Sequence, residues 1–212
     1  CLNILIYFVE HHVAIERENR QVSEAIISDH ELMHRFVHGE ELAFVELVRR
    51  HQRPVSSYLL RIIGSRARAE ELAQEVFLRV FRHRFDYTRQ AAFTTWCYTI
   101  ATNLARDEIR SLRRRPVRTG LEGLQEILPG GEEPGETLGR QEMQALVRKA
   151  LGSLVPPFRE VLVLRDLQER SYEDIAGILG LELGTVKSRI NRARLAFKEV
   201  FIALEAKGGE LR

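Results

Sequence analysis

The run Ser171-Tyr-Glu-Asp-Ile-Ala-Gly-Ile-Leu-Gly-Leu-Glu-Leu-Gly-Thr-Val-Lys-Ser-Arg-Ile-Asn-Arg-Ala-Arg194 constrains this chain more than any other. Ser171 can cap a helix, and Asp174 three residues on completes an approximate capping box. Ile175, Ile178 and Leu179 recur at helical spacing and point inward. Ala176 stands where two helices would cross, and its small side chain permits close approach. Gly180 falls where the turn needs a positive φ. Val186 would pack back on the first helix. Lys187, Ser188, Arg189, Asn191, Arg192 and Arg194 then lie on the outer faces of a second helix. Such side chains read base edges or hold phosphates. The segment reads as a helix-turn-helix whose second helix enters a major groove.

The remainder is also helical in period, with no lasting β alternation, so the expected fold class is all-α. Net charge is only +2, but it is uneven. Residues 23–118 carry 17 Lys+Arg against 12 Asp+Glu, residues 140–200 carry 11 against 8, and residues 119–139 carry five Glu and no cation. The middle stretch is also rich in glycine and proline, the composition of a linker. Two small helical domains on a flexible acidic tether follow: residues 23–118, the linker 119–139, a helix-turn-helix domain over 140–205, and a tail 206–212. Residues 1–22 form an N-terminal extension to which the sequence assigns no role. Two basic blocks on one leash suggest two contacts with one polyanion.

Within the first block, Asp29 can cap a helix through Phe36. A second helix runs from about Glu40 to Ile63, with Pro54 expected to kink or interrupt it. A third covers Ala67 to about Phe85, its apolar stripe being Leu72, Val76, Leu78, Val80 and Phe81. A polar loop, Asp86–Ala91, leads to a fourth helix over about Ala92–Arg115, with Trp96, Ile100, Leu104 and Ile109 on one side. In the second block a helix spans Gln141–Gly152, Pro156 opens another through Leu167, and the last helix runs to about Leu204. Cys97 is a small core residue, and two cysteines make no disulfide framework, in keeping with a reducing cytoplasm. No apolar run spans a bilayer, so no direct membrane insertion is expected. His30, His34 and His38 share a helical face, but no further ligand lies at metal spacing, so neither metal nor cofactor is expected.

With those motifs in place, the chain resembles the extracytoplasmic-function (group IV) sigma factors of bacterial RNA polymerase. The first block of resemblance runs from His38-Gly-Glu-Glu-Leu-Ala-Phe44 through Ala69-Glu-Glu-Leu-Ala-Gln-Glu-Val-Phe-Leu-Arg-Val80 to Phe93-Thr-Thr-Trp-Cys-Tyr-Thr-Ile-Ala-Thr-Asn103 and Asp107-Glu-Ile-Arg110. The second runs from Ala150-Leu-Gly-Ser-Leu-Val-Pro157 to the helix-turn-helix. The resemblance implies a dissociable promoter-specificity subunit with no catalysis of its own. It implies binding to the clamp of the largest polymerase subunits through Leu72, Gln74, Glu75, Phe77 and Arg79. It implies capture of the minus-ten element, duplex and flipped single strand, by Tyr87, Arg89, Phe93, Trp96, Asn103, Arg106, Arg110 and Arg113. The minus thirty-five element would meet Thr185, Lys187, Ser188, Arg189, Asn191, Arg192 and Arg194. Asn191 replaces the apolar or aromatic residue of many relatives. The resemblance also implies an anti-sigma factor as partner, sometimes membrane-tethered, and a cytoplasmic location.

Two rival readings fit less well. A response-regulator activator would need the alternating strands and acidic pocket of a receiver domain. An enzyme would need a Ser/His/Asp order, a phosphate-cradling glycine loop or a Cys/His metal set, and none is present.

Overall fold

The computed structural model describes residues 27–88, 91–114 and 138–209; residues 1–22 and the acidic linker up to residue 137 lie outside them, and the last two residues expected in the linker open a helix. Every regular element among the described residues is helical, as expected. The first module holds α1 (Asp29–Val37), α2 (Glu41–Ile63), α3 (Arg66–Arg82), a 3₁₀ turn (Arg84–Asp86) and α4 (Phe93–Arg114). The second holds α5 (Leu138–Ser153), α6 (Pro156–Leu162) running into a π-helical turn (Val163–Leu167), α7 (Tyr172–Leu179) and α8 (Leu183–Gly209).

In the first module α2 is the central strut, packed against α1, α3 and α4. It buries Leu47, Val55, Tyr58, Leu59 and Ile62. Three packing partners explain why α2 passes unbroken through Pro54. A proline inside a helix costs about 3 kcal/mol, which burial of several large side chains offsets. Ser28, not Asp29, caps α1, accepting from the Glu31 amide at 3.2 Å. Asp29 instead turns onto α2 and accepts from His51 at 2.7 Å and Arg50 at 3.1 Å.

α3 and α4 are rotated from the expected stripes. In α3 the buried set is Ala69, Leu72, Ala73, Val76, Phe77 and Val80, while Phe81 is 40% exposed. In α4 it is Phe93, Cys97, Tyr98, Ala101, Thr102, Leu104, Ala105 and Glu108; Trp96 and Ile100 are half-buried. Buried Glu108 is gripped by the Arg68 guanidinium through two hydrogen bonds, at 3.1 and 2.6 Å. Tyr58 and Thr102 share a buried hydrogen bond of 2.8 Å that fixes α4 on α2.

In the second module α8 packs on α5, α6 and α7 through Val186, Ile190 and Ala193. It continues five residues past the expected Leu204, through Gly208-Gly209, into the segment expected to be a tail. The two modules also touch. α4 packs on α7, and one hydrophobic core runs through both.

Candidate nucleic-acid interface

The helix-turn-helix is built as its residues require. The Asp174 amide donates to Ser171 Oγ at 2.9 Å, and the Ser171 amide donates back to the Asp174 carboxylate at 3.3 Å. Burial works to raise the Asp174 carboxyl, but hydrogen bonds from Ser171 and Thr95 outweigh it and hold the group below its ordinary value. Gly180 closes α7 at φ +66°, the left-handed conformation that glycine adopts without penalty. Ile175, Ile178 and Leu179 are buried, as are Val186, Ile190 and Ala193 opposite. That inner stripe leaves Lys187, Ser188, Asn191, Arg192 and Arg194 exposed along one side of α8, with Thr185 and Arg189 half-buried. Ser188 Oγ donates to the Thr185 carbonyl at 3.1 Å, and Arg192 Nε donates to the Ser188 carbonyl at 3.4 Å. Arg194 reaches back to Asp166, its Nε donating at 3.2 Å. The Asp166 carboxylate thereby raises the Arg194 guanidinium.

The first module presents a second surface, which brings together some of the expected residues and sets others apart. Phe93 is 2% exposed and packs against His51, with ring centroids 5.0 Å apart and the rings tilted by 56°, so it supports the site from within the core. Tyr87 donates to the Ala91 carbonyl at 3.0 Å, lies 3.2 Å from His30 Nδ1, and packs on Trp96 at 5.4 Å. Trp96 also walls a cavity of about 240 Å³, lined by Arg79, His83, Asp86, Trp96, Ile100 and Asn103. His83 and Asp86 are joined at 2.9 Å. Sequence reasoning missed His83, Asp86 and Ile100 as lining. The signal available was that Arg79 and His83 stand four residues apart at the end of α3, on the face next to the loop. Arg89 lies outside the described residues. Arg110 pairs with Asp107, and Arg113 is exposed in the last turn of α4.

Arg106 is engaged elsewhere. Its guanidinium grips Glu160 of α6 at 2.9 and 2.7 Å, and the Glu160 side chain is 3% exposed. That hydrogen-bonded carboxylate holds the Arg106 guanidinium above its usual range.

Of the residues expected on the polymerase-facing helix, Gln74 is exposed, and Glu75 accepts from Arg79 Nε at 2.9 Å. Leu72 and Phe77 are buried in the module's own core, because the α3 stripe that packs on α2 is the one that carries them. Their part is to hold the exposed rim in place.

Residues 47–115 match the Sigma-70 region 2 family and residues 144–197 the Sigma-70, region 4 family. The RNA polymerase sigma-H factor of Pseudomonas aeruginosa is 33% identical over 176 residues, covering 79% of this chain and 91% of that one. The ECF RNA polymerase sigma-E factor of Escherichia coli K12 is 32% identical over 177 residues, covering 80% and 92%. Two solved structures share the fold. One is CnrH in complex with the cytosolic domain of CnrY (TM-score 0.64, 23% identity, 82% of this chain and 97% of that one). The other is the sigma factor RpoE in complex with the anti-sigma factor NepR from Bartonella quintana (TM-score 0.60, 22% identity, 74% and 95%). No helix among the described residues is long and apolar enough to cross a membrane.

Proposed function

The chain belongs to the extracytoplasmic-function sigma factors of bacterial RNA polymerase, and we propose how its residues divide that work. α8 reads the minus thirty-five element. Lys187, Ser188, Asn191 and Arg192 face the bases, while Thr185, Arg189 and Arg194 hold phosphates. A bidentate contact from Asn191 or Arg192 discriminates against the wrong base by about 1–3 kcal/mol. The exposed rim of α3, Gln74, Glu75 and Arg79, docks on the polymerase clamp.

α4 and the cavity beside Trp96 take the minus-ten strand. An unstacked base needs a ring to lie against and polar groups to read its edge. Trp96 and Ile100 supply the first, and Asp86, His83 and Asn103 the second. Arg110, Arg113 and Arg89 track phosphates. The chain works in the cytoplasm, does no chemistry of its own, and is controlled by an anti-sigma factor.

The observation that carries this reading is the pairing, on one chain, of a cationic outward face on α8 with a Trp-walled polar cavity on α4. The test is run-off transcription with core polymerase on a pool of genomic fragments. A discrete set of starts should appear, each dependent on this chain. A chain that binds core polymerase yet yields no start, while a working sigma factor does so alongside, refutes the reading.

A further inference from the structure

The two modules are held face to face by a specific set of polar contacts. Arg106 of α4 grips Glu160 of α6 through one edge of its guanidinium, Nε and Nη2. Thr95 Oγ1 donates to Asp174 of α7 at 3.1 Å, and Tyr98 OH donates to Gln168 at 2.6 Å. The Arg170 guanidinium lies over the Tyr98 ring, 4.7 Å from its centroid. Arg159 Nη1 donates to the Ile62 carbonyl at the end of α2, at 2.7 Å. α7 approaches α4 so closely that a β-carbon at Gly177 would stand 3.1 Å from Thr95 Cγ2.

We propose that this contact is an intramolecular lock, in which the second module packs along α4 beside the minus-ten cavity and Glu160 occupies Arg106 in place of a DNA phosphate. The inference rests on the reading of α4 given above. Two arguments carry it. The first is chemical. A planar guanidinium takes a carboxylate and a phosphate with the same two-pronged geometry, so Arg106 cannot hold both at once. The second is dimensional. The two promoter elements are centred about 25 base pairs apart, which is roughly 85 Å along the duplex at 3.4 Å per pair. A compact chain of this length has a radius of gyration of only about 17 Å. Modules joined by a 3.1 Å hydrogen bond therefore cannot sit on both elements of an unbent promoter. The chain must open, and the energy of docking on polymerase must exceed that of the lock.

The closeness of Thr95 to Gly177 supplies the test. In a disulfide each β-carbon stands about 3.0 Å from the far sulfur, and the observed approach is 3.1 Å. The Thr95→Cys/Gly177→Cys chain, made with Cys1→Ser, should crosslink on mild oxidation. Native Cys97 stays out of the exchange, because burial pushes its thiol up to about 12. Binding is read with a fluorescent single-stranded DNA pool of randomised sequence, and initiation with core polymerase. The oxidised chain should lose both, and a reductant should restore them. In the opposite direction, Glu160→Lys sets like charge against Arg106. It should raise pool affinity about 10-fold if the closed form holds about nine-tenths of the free chain.

Absence of a crosslink overturns the lock and leaves the minus-ten reading standing. An oxidised chain that binds and initiates like the reduced one shows that the contact does not block α4, and overturns the lock. If the reduced chain and Glu160→Lys both ignore the pool, and Arg106→Ala leaves promoter opening unchanged, the reading of α4 has failed and the lock falls with it. The two variants act from different helices, so a folding failure in one leaves the other decisive.

Discussion

The buried hydroxyl pair between α2 and α4 makes a quantitative prediction about what aims the minus-ten helix. Tyr58 is fully buried, Thr102 is 1% exposed, and their oxygens are 2.8 Å apart. Thr102 immediately precedes Asn103, which lines the cavity, so the rotation that this bond fixes also aims the reading face. Thr102→Val keeps the shape and removes the partner, stranding the Tyr58 hydroxyl in an apolar core. An unpaired buried hydroxyl costs about 1–3 kcal/mol. Tyr58→Phe should cost less, about 0.5–1.5 kcal/mol, since the Thr102 hydroxyl can turn to a carbonyl of its own helix. The double variant leaves two apolar groups of nearly unchanged shape and should fall close to the parent.

Urea unfolding decides it. With a slope of about 2–3 kcal/mol per molar for a chain of this size, Thr102→Val should lower the midpoint by about 0.5–1 M. The double variant should recover most of that loss, a coupling of at least 1 kcal/mol. If the double variant is as unstable as the sum of the singles, the hydroxyl pair contributes nothing, and α4 is aimed by packing alone.

Four further outcomes follow. Burial holds the Tyr58 phenol above its ordinary value of 10.0, so the unfolded chain ionises first and stability should fall as pH rises past 10; Tyr58→Phe should flatten that fall in a pH series of urea midpoints. The hydrogen bond from His51, with help from Arg50, holds the Asp29 carboxyl below its ordinary value of 3.8. Its contribution is therefore present above that value and lost as pH falls through the lowered one, and Asp29→Asn should remove it from the acid limb of the same series. Ser171→Ala removes one half of the α7 capping box and should cost about 1–2 kcal/mol by urea unfolding, with Gly180→Ala costing about 1 kcal/mol for its left-handed backbone; a loss under a few tenths in both would mean that the turn is held by other contacts. Lys187→Ala with Arg192→Ala should abolish initiation at promoters that need the upstream element while core binding is kept; loss of core binding instead would show the modules' duties to be misassigned.

The parts legible in the sequence share a cause. The capping box, the Gly180 turn and the alternation of Val186, Ile190 and Ala193 with cations on α8 are all local, because each is set by residues within a few turns of one another. α8 packs on its neighbours along one side, so its hydrophobic period reports its orientation directly. The apolar character of Trp96 and Ile100 misled for α4, because that helix is covered on several sides, by α2, α3 and α7. Much of its packing falls to Cys97, Ala101 and Ala105, whose small side chains leave a faint periodic signal. Buried Glu108 was hidden for a related reason: only its pairing with Arg68, forty residues away, makes a carboxylate tolerable there. Of the cavity lining, Trp96 and Asn103 were legible, and His83, Asp86 and Ile100 were not, because the cavity joins the end of α3 to α4 across a loop.

The contact between the modules lies furthest from what a sequence can show, and its chemistry explains why. Its bonds join residues 54 to 97 positions apart, and nearly all are made by polar side chains: Arg106 to Glu160, Tyr98 to Gln168, Thr95 to Asp174, Arg159 to the Ile62 carbonyl. Read singly, each residue resembles an ordinary surface position, and in an opened chain each would be one. A surface that must part needs that property, since an apolar face of the same extent would aggregate when exposed. Polar partners can be re-hydrated or exchanged for phosphate, so the opposition to opening comes chiefly from the apolar side chains of the core that the modules share. Arg106 is the clearest case. In the proposed lock its charge is satisfied by Glu160 when the modules meet and by DNA when they part, so the residue that reads as a DNA contact in the sequence would also be the one that closes the free chain.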